Sequence, residues 1–249
     1  MLERGKQNVL SLASNSFDTP YGLSVVDRVL SSVCLGGSVL QESQSDCLMT
    51  YLRASLLPLA ILLFPGFVLG DQGFKDDFSD PDLEIRQALR GEWKYEDGIA
   101  SCVSDPELYK EYKNHGPILR WPCEITDGKL EFEFKPEGCQ RVVVTFNDEG
   151  HVFRMSFRDD DKTSIFGWIG RSSKENKSKL IAKEGVPWIT ELDGKWVKVK
   201  LEMEGDVGKI RIGDYKATLR HPSIARTKGE FTFSFAMGKC SIRDVKVKG

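Results

Sequence analysis

The sequence predicts an all-β protein, an antiparallel sandwich or barrel of about eleven short strands with little helix. Three observations carry that prediction. Short runs alternate apolar and polar side chains at every second position, the period of a strand with one buried face. Gly, Asp and Asn clusters separate the runs at turn positions. Helical signals are confined to two brief stretches, and no repeat of fixed period interrupts the series.

The 249 residues carry 35 basic and 37 acidic side chains. That balance argues against a nucleic-acid binder, which would show a basic excess or stripe. Residues 1–48 show no sustained period and read as an unstructured upstream extension, with Met49 as an alternative start. Residues 49–70 have the parts of a signal peptide: Arg53, an apolar run over 54–69, and Val68-Leu69-Gly70 before polar Asp71. The run is short for a membrane span and Pro58 and Pro65 interrupt it. The expectation is a secreted, periplasmic or cell-envelope protein with no permanent membrane anchor after cleavage. Residues 71–249 then form one domain. Cys34 and Cys47 leave with the leader, and Cys102, Cys123, Cys139 and Cys240 remain. An even number in an exported chain suggests disulfides. Cys102 and Cys123 flank one polar loop, which favours that pair and leaves Cys139 with Cys240; buried free thiols are the alternative. The spacings fit no zinc site.

Along residues 71–249, Asp76-Asp77-Phe78 opens as a short strand, and 81–90 is expected to make a helical turn or two. Trp93 and Tyr95 share one face of 92–100, with Asp97-Gly98 as a turn. Asp105-Pro106 starts a short helix over 107–112 within a long polar segment. Residues 118–121 form a strand that Pro122 ends. A three-strand meander follows over 128–157. Leu130, Phe132 and Phe134 point to one face; Gln140 to Phe146 follows; then Phe153, Met155 and Phe157 oppose Val152, Arg154 and Ser156. Its turns are Pro136-Glu137-Gly138 and Asn147-Asp148-Glu149-Gly150. After the charged turn 158–162 come a strand over 163–169 and a Lys/Ser loop holding the sequon Asn176-Lys177-Ser178. Asp193-Gly194 turns into 195–203, where Val197, Val199, Leu201 and Met203 alternate with charge. Strands over 209–212, 215–219, 230–236 and 240–247 complete the chain.

Four landmarks resemble the concanavalin A-like lectin/glucanase superfamily, and within it the 3-keto-disaccharide hydrolase domain, often labelled family-16 glycoside hydrolase-like. They are Asp76-Asp77-Phe78, the Trp93-to-Gly98 segment, Asp193-Gly194-Lys195-Trp196 before a long alternating strand with His221-Pro222 beyond, and the Phe-rich strand followed by Ser241-Ile242-Arg243-Asp244-Val245-Lys246-Val247. The resemblance spans most of 74–248. It implies a jelly roll of two curved sheets whose concave face or rim binds sugar, in an exported protein handling glycans. Laminarinase-type relatives carry a Glu-x-Asp-x-x-Glu strand. Here Glu191-Leu192-Asp193 begins that motif, but Trp196 stands where its last Glu should be, so the mechanism does not carry over.

Glu131 and Glu133 are the candidate catalytic pair. Two residues apart on a strand, they point the same way, with Cα atoms about 6.5–7 Å apart, a spacing open to retaining or inverting glycosidase geometry. The plainer alternative is a solvated face salt-bridged to neighbours such as Arg154. Arg154 and Arg158 are candidate substrate-binding residues that could fork onto sugar hydroxyls or an acidic sugar carboxylate. Trp121, Trp168 and Trp188 could stack on a pyranose, with packing as the alternative. His115 is the histidine placed to act as a base. Asp159-Asp160-Asp161 lacks the glycine and later glutamate of a calcium loop and reads as a solvated turn. No phosphate-cradling glycine loop or nucleophile elbow is present, so no cofactor is expected. The expected partner is a saccharide. Glycoside hydrolase-like activity and non-catalytic lectin-like binding both remain open.

Overall fold

The computed structural model describes residues 73–159 and 162–249. The upstream extension, the signal peptide, Cys34, Cys47, Asp160 and Asp161 lie outside the described residues. Fifteen strands form among them, in two sheets. One sheet runs β13 (Tyr215–Arg220), β12 (Val207–Ile212), β11 (Val197–Glu204), β6 (Gly128–Glu137), β15 (Lys239–Lys248), β4 (Ile99–Val103) and β3 (Lys94–Glu96), with β1 (Phe74–Asp76) also paired to β15. The other runs β10 (Lys179–Ala182), β9 (Ser164–Gly167), β8 (His151–Arg158), β7 (Arg141–Asn147), β14 (Lys228–Ala236), β5 (Ile118–Ile125) and β2 (Gln87–Leu89). The strand pairs are antiparallel, as the alternation requires.

The inward side chains of both sheets meet in one core. Phe132, Phe153, Val199 and Phe233 are each at most 1% exposed and belong to the same cluster. Phe132 of β6 packs on Phe231 and Phe233 of β14 at 5.9 and 6.1 Å between ring centres, and Phe134 meets Phe157 at 5.6 Å. Each such side chain contributes about 1.5–3 kcal/mol on burial.

Three buried charged side chains tie down the periphery. Asp76 accepts from both Arg86 Nη1 (3.0 and 2.9 Å) and Trp121 Nε1 (2.8 Å). Arg86 Nη2 reaches the carbonyls of Asp80 and Pro81, and its guanidinium lies 4.1 Å from the Tyr95 ring centre. Residues 81–90 therefore wrap around a guanidinium and enter β2 instead of forming the expected helical turns. Lys228, fully buried, gives its Nζ to the carbonyls of Thr126, Ile224 and Arg226 at 2.5–2.7 Å. It thereby fastens the short 3₁₀ turn Pro222–Ala225 to the end of the sandwich.

The structure corrects the meander. β6 does not pair with β7; its neighbours are β11 and β15 in the other sheet. Gly138, at φ +69°, carries the chain from one sheet across to the other, and its N–H is held by Asp193 Oδ1 at 2.7 Å. Nor do the prolines end their strands. β6 runs through Pro136, which lies past the last β11 pair, Val197 with Phe134; the Pro136 carbonyl on that side accepts from Gly194 N–H. β5 runs through Pro122, which lies beyond the end of β2. A missing N–H costs nothing where no strand waits for it. The short helix after Asp105 forms as expected, α1 (Pro106–Glu111), with the Asp105 carboxylate accepting from Glu107 and Leu108 N–H.

The four cysteines are free, buried thiols. Cys102 of β4 sits in register with Cys240 of β15, while Cys123 belongs to the other sheet and donates to the Lys228 carbonyl at 3.4 Å. As free thiols they form neither the favoured Cys102–Cys123 pair nor the Cys139–Cys240 pair left over. Burial pushes the Cys102 thiol up to about 11 and that of Cys123 up to about 12.

Candidate functional site

The outer face of the seven-stranded sheet carries a continuous polar network. Strand alternation places Arg120 of β5, Glu230 and Thr232 of β14, Thr145 and Asn147 of β7 and Arg154 of β8 outward, in neighbouring rows. The register aligns Arg120, Thr232, Thr145 and Arg154 across four strands. His151 joins them through an irregularity. Strict alternation with Phe153, Met155 and Phe157 would turn it inward. A bulge between Phe146 and Asn147 in the β7–β8 pairing sets His151 opposite Asn147 and buries Val152 as the extra residue. A bulge of this kind re-aims a side chain.

The network is linked end to end. Arg120 Nε lies 3.0 Å from Glu230 Oε2, near enough for charge attraction though not aligned for a hydrogen bond. Asn147 Nδ2 donates to Glu230 Oε1 at 2.9 Å, His151 Nδ1 contacts Asn147 Oδ1 at 2.8 Å, and Arg154 Nη2 contacts His151 Nε2 at 2.6 Å. Guanidinium can only donate, so Nε2 is the acceptor and the imidazole proton sits on Nδ1, pointing at the Asn147 oxygen. Burial, and next the Arg154 charge, lower the His151 pKa to about 4. The ring is therefore neutral at pH 7, as this hydrogen-bond direction demands. Trp168 forms the floor: its ring centre lies 5.1 Å from that of His151 and 5.4 Å from the Arg154 guanidinium carbon.

The candidate residues of the sequence divide between the two outer faces. Glu131 and Glu133 do point the same way, but from the eight-stranded sheet, on the opposite side of the sandwich from Arg154. Glu131 accepts from Lys200 at 3.0 Å; Glu133 accepts from Arg243 Nη2 at 2.6 Å and lies 3.8 Å from Lys198. The Lys200 hydrogen bond lowers the Glu131 pKa. Trp121 is fully buried with its indole N–H given to Asp76, leaving no ring face for a sugar. Trp168 is 7% exposed beneath His151 and Arg154. Trp188 is 48% exposed and borders a small hollow with Thr163, Lys183 and Gly185. Arg158 shares the face of Arg154 in register with Arg141. His115 is exposed beyond α1, its Nδ1 near the carbonyls of Tyr112 and Lys113. Glu191 and Asp193 serve the backbone, Glu191 accepting from Trp188 N–H and Asp193 from Gly138 N–H.

Arg120, Asn147, His151 and Glu230 escape the sequence reading. Asn147 reads as a turn residue, His151 as inward, and nothing local distinguishes Arg120 or Glu230 from any outward charge. A larger hollow of about 790 Å³ lies at the edge formed by β3, β4 and α1, but Glu92, Lys94, Glu96, Asp105 and Lys239 line it with mixed, exposed charge and no converging network.

No protein-family model and no curated protein matches the chain. Solved structures do. The β-glucanase of Bacillus licheniformis superposes with a TM-score of 0.51 at 11% identity, over 72% of this chain and 98% of that one. LamAcat from Zobellia galactanivorans gives 0.50 at 13% identity, over 72% and 98%. A Zobellia galactanivorans LamA variant in complex with laminaritriose and laminaritetraose gives 0.50 at 13%, over 70% and 97%. At such identities the likeness is one of architecture, and it agrees with the two antiparallel sheets and single core described above: the chain has a jelly-roll β-sandwich fold like theirs.

Proposed function

We propose that this is an exported, lectin-like protein that binds a saccharide across the outer face of the seven-stranded sheet. The observation that supports it is the Arg120–Glu230–Asn147–His151–Arg154 chain, whose His151–Arg154 end lies over Trp168. Guanidinium, carboxylate, amide and imidazole groups are the partners that sugar hydroxyls use. Here they are held by one another on rigid strands, so little ordering is left to do when a ligand arrives.

The arrangement favours binding over hydrolysis. Glycosidases of the common type need two carboxyl groups flanking the bond. The network holds one, Glu230, and both its oxygens are engaged by Arg120 and Asn147. Glu131 and Glu133 are likewise held by cations on the far face and take no part in this reading. A likeness of fold supports a saccharide ligand without assigning a reaction.

The test is a glycan array run beside a hydrolysis screen that includes 3-keto-disaccharides, using the full chain. Binding without turnover, weakened by Glu230→Ala and His151→Ala and retained by Glu131→Gln and Glu133→Gln, is the expected result. Turnover abolished by Glu131→Gln or Glu133→Gln would move the chemistry to the other sheet and overturn the proposal.

A further inference from the structure

Arg154 is an arginine whose charge the protein leaves unanswered. Its side chain is half-buried against Trp168, and its one hydrogen bond goes to a neutral imidazole. Its Nε is buried with no partner at all. Among the described residues no carboxylate forms an ion pair with it. Arg141, two rows along the same face, adds a second positive charge; its Nη2 reaches only the Asn114 carbonyl, at 3.4 Å. Burial, and then repulsion from Arg141, disfavour the charged form of Arg154, yet guanidinium does not give up its proton in proteins.

Four other arginines are answered by a carboxylate. Arg86 has Asp76, Arg243 has Glu133, Arg120 has Glu230, and Arg226 has Asp148 together with the carbonyls of Trp168 and Gly170. A partly desolvated cation without a counter-charge is costly to keep, and removing it would be the cheaper arrangement unless something binds there.

We infer that the ligand of this face is an anionic saccharide, whose carboxylate or sulfate group sits against Arg154 and Arg141 while its hydroxyls meet Asn147, His151 and Glu230. This deepens the saccharide reading and rests on it. A hexuronate carboxylate is planar and matches the guanidinium fork with two parallel hydrogen bonds; a sulfate ester offers three oxygens to the same donors. Neutral Nδ1–H His151 stays compatible with either, since it adds no competing charge.

Calorimetric titration of the full chain with three probes separates the cases: a galacturonate oligosaccharide, a sulfated galactan oligosaccharide and a laminarin oligosaccharide of equal length. The expected result is an affinity at least about tenfold higher for one of the acidic probes than for the neutral one, and the stronger acidic probe names the group. That preference should shrink steeply as salt rises from 50 to 500 mM. Arg154→Gln, which keeps an N–H donor for His151, should bring the acidic-to-neutral ratio to about one, and Arg154→Lys should restore part of it. If Arg154→Gln does not fold, by circular dichroism, the salt dependence of the unaltered chain decides. Acidic and neutral probes binding equally, with no effect of salt, would overturn the anion inference and leave the saccharide reading standing. Failure of all three probes to bind would overturn both.

Discussion

The two outer faces of this sandwich are built from the same kinds of residue and come out differently. On the eight-stranded sheet several carboxylates meet a cation directly: Lys129 with Glu202, Lys200 with Glu131, Arg243 with Glu133, Arg220 with Asp206. Cross-strand register sets two of these pairs, Lys200 opposite Glu131 and Glu202 opposite Lys129, and most of these side chains keep a third or more of their surface in water. On the seven-stranded sheet charges are fewer and more deeply set. They communicate through neutral Asn147 and His151, and the balance is left positive at Arg154. Charge alone does not mark a site. What separates the faces is whether the protein answers its own charges locally.

The largest difference should appear at the two tryptophans under arginine. Trp168 is nearly buried beneath Arg154, whereas Trp196 is only half-buried, with Arg243 at 4.1 Å and Lys135 at 5.9 Å from its ring centre. Trp168→Ala should cost about 3–5 kcal/mol in urea unfolding; Trp196→Ala should cost about 1–2 kcal/mol. Equal costs would mean that the two faces are equally solvated. At the carboxylates, Glu230→Ala strips partners from Arg120 and Asn147 and should cost about 1–3 kcal/mol. Glu131→Gln, on the exposed face, should cost less than about 1 kcal/mol.

These contrasts also show what period-two alternation can and cannot convey. It assigns inside and outside well: Phe132, Phe134, Val199, Phe231 and Phe233 all point inward as the pattern requires. It says nothing of which strands are neighbours, so residues 128–157 read as a meander although Gly138 carries the chain between sheets. Where a bulge intervenes, alternation misleads. His151 belongs to the inward set by count and to the outward set in space. Lys228 is the converse. A shift between Lys228 and Glu230 in the β14–β5 pairing turns a lysine into the interior, where three carbonyls accept its hydrogen bonds. Both bulges are long-range properties of pairing and leave no mark in a single strand. Of the site, Arg154 and Trp168 are legible in the sequence as candidates, whereas Arg120, Glu230 and Asn147 are not, since they come from three other strands that only tertiary register aligns with β8.

Acid should separate the faces by pH window. His151 has its pKa lowered to about 4 from 6.5 by burial and by Arg154. Between those values the unfolded chain binds the extra proton, so stability rises with pH. The contribution is complete above about 6.5 and is lost as pH falls through 4. His221, also lowered by burial, adds in the same direction. Glu131 is lowered below 4.5 by its Lys200 hydrogen bond, so its contribution is present above 4.5 and disappears at more acid pH. Thermal melts from pH 7 to 3 should show His151→Gln flattening the upper window relative to the unaltered chain, and Glu131→Gln altering only the lower one. An unchanged upper slope in His151→Gln would mean that the ring is protonated in the folded protein.

The smallest effect is the most discriminating. A double-mutant cycle on Lys200→Met and Glu131→Gln isolates one ion pair from its surroundings. Both side chains are more than a third exposed, so water screens the attraction and holding two flexible side chains together has an entropic cost. The coupling should be about 0.2–1 kcal/mol, and it should fall towards zero in 1 M salt, where the Debye length is about 3 Å. A matching cycle on Arg154→Gln and His151→Gln probes a hydrogen bond between a cation and a neutral ring, for which no opposite charges exist to screen. Its coupling should survive the same salt. If the Arg154–His151 coupling instead collapses with the Lys200–Glu131 coupling, Arg154 is answered by a carboxylate after all, and the contrast between the two faces disappears.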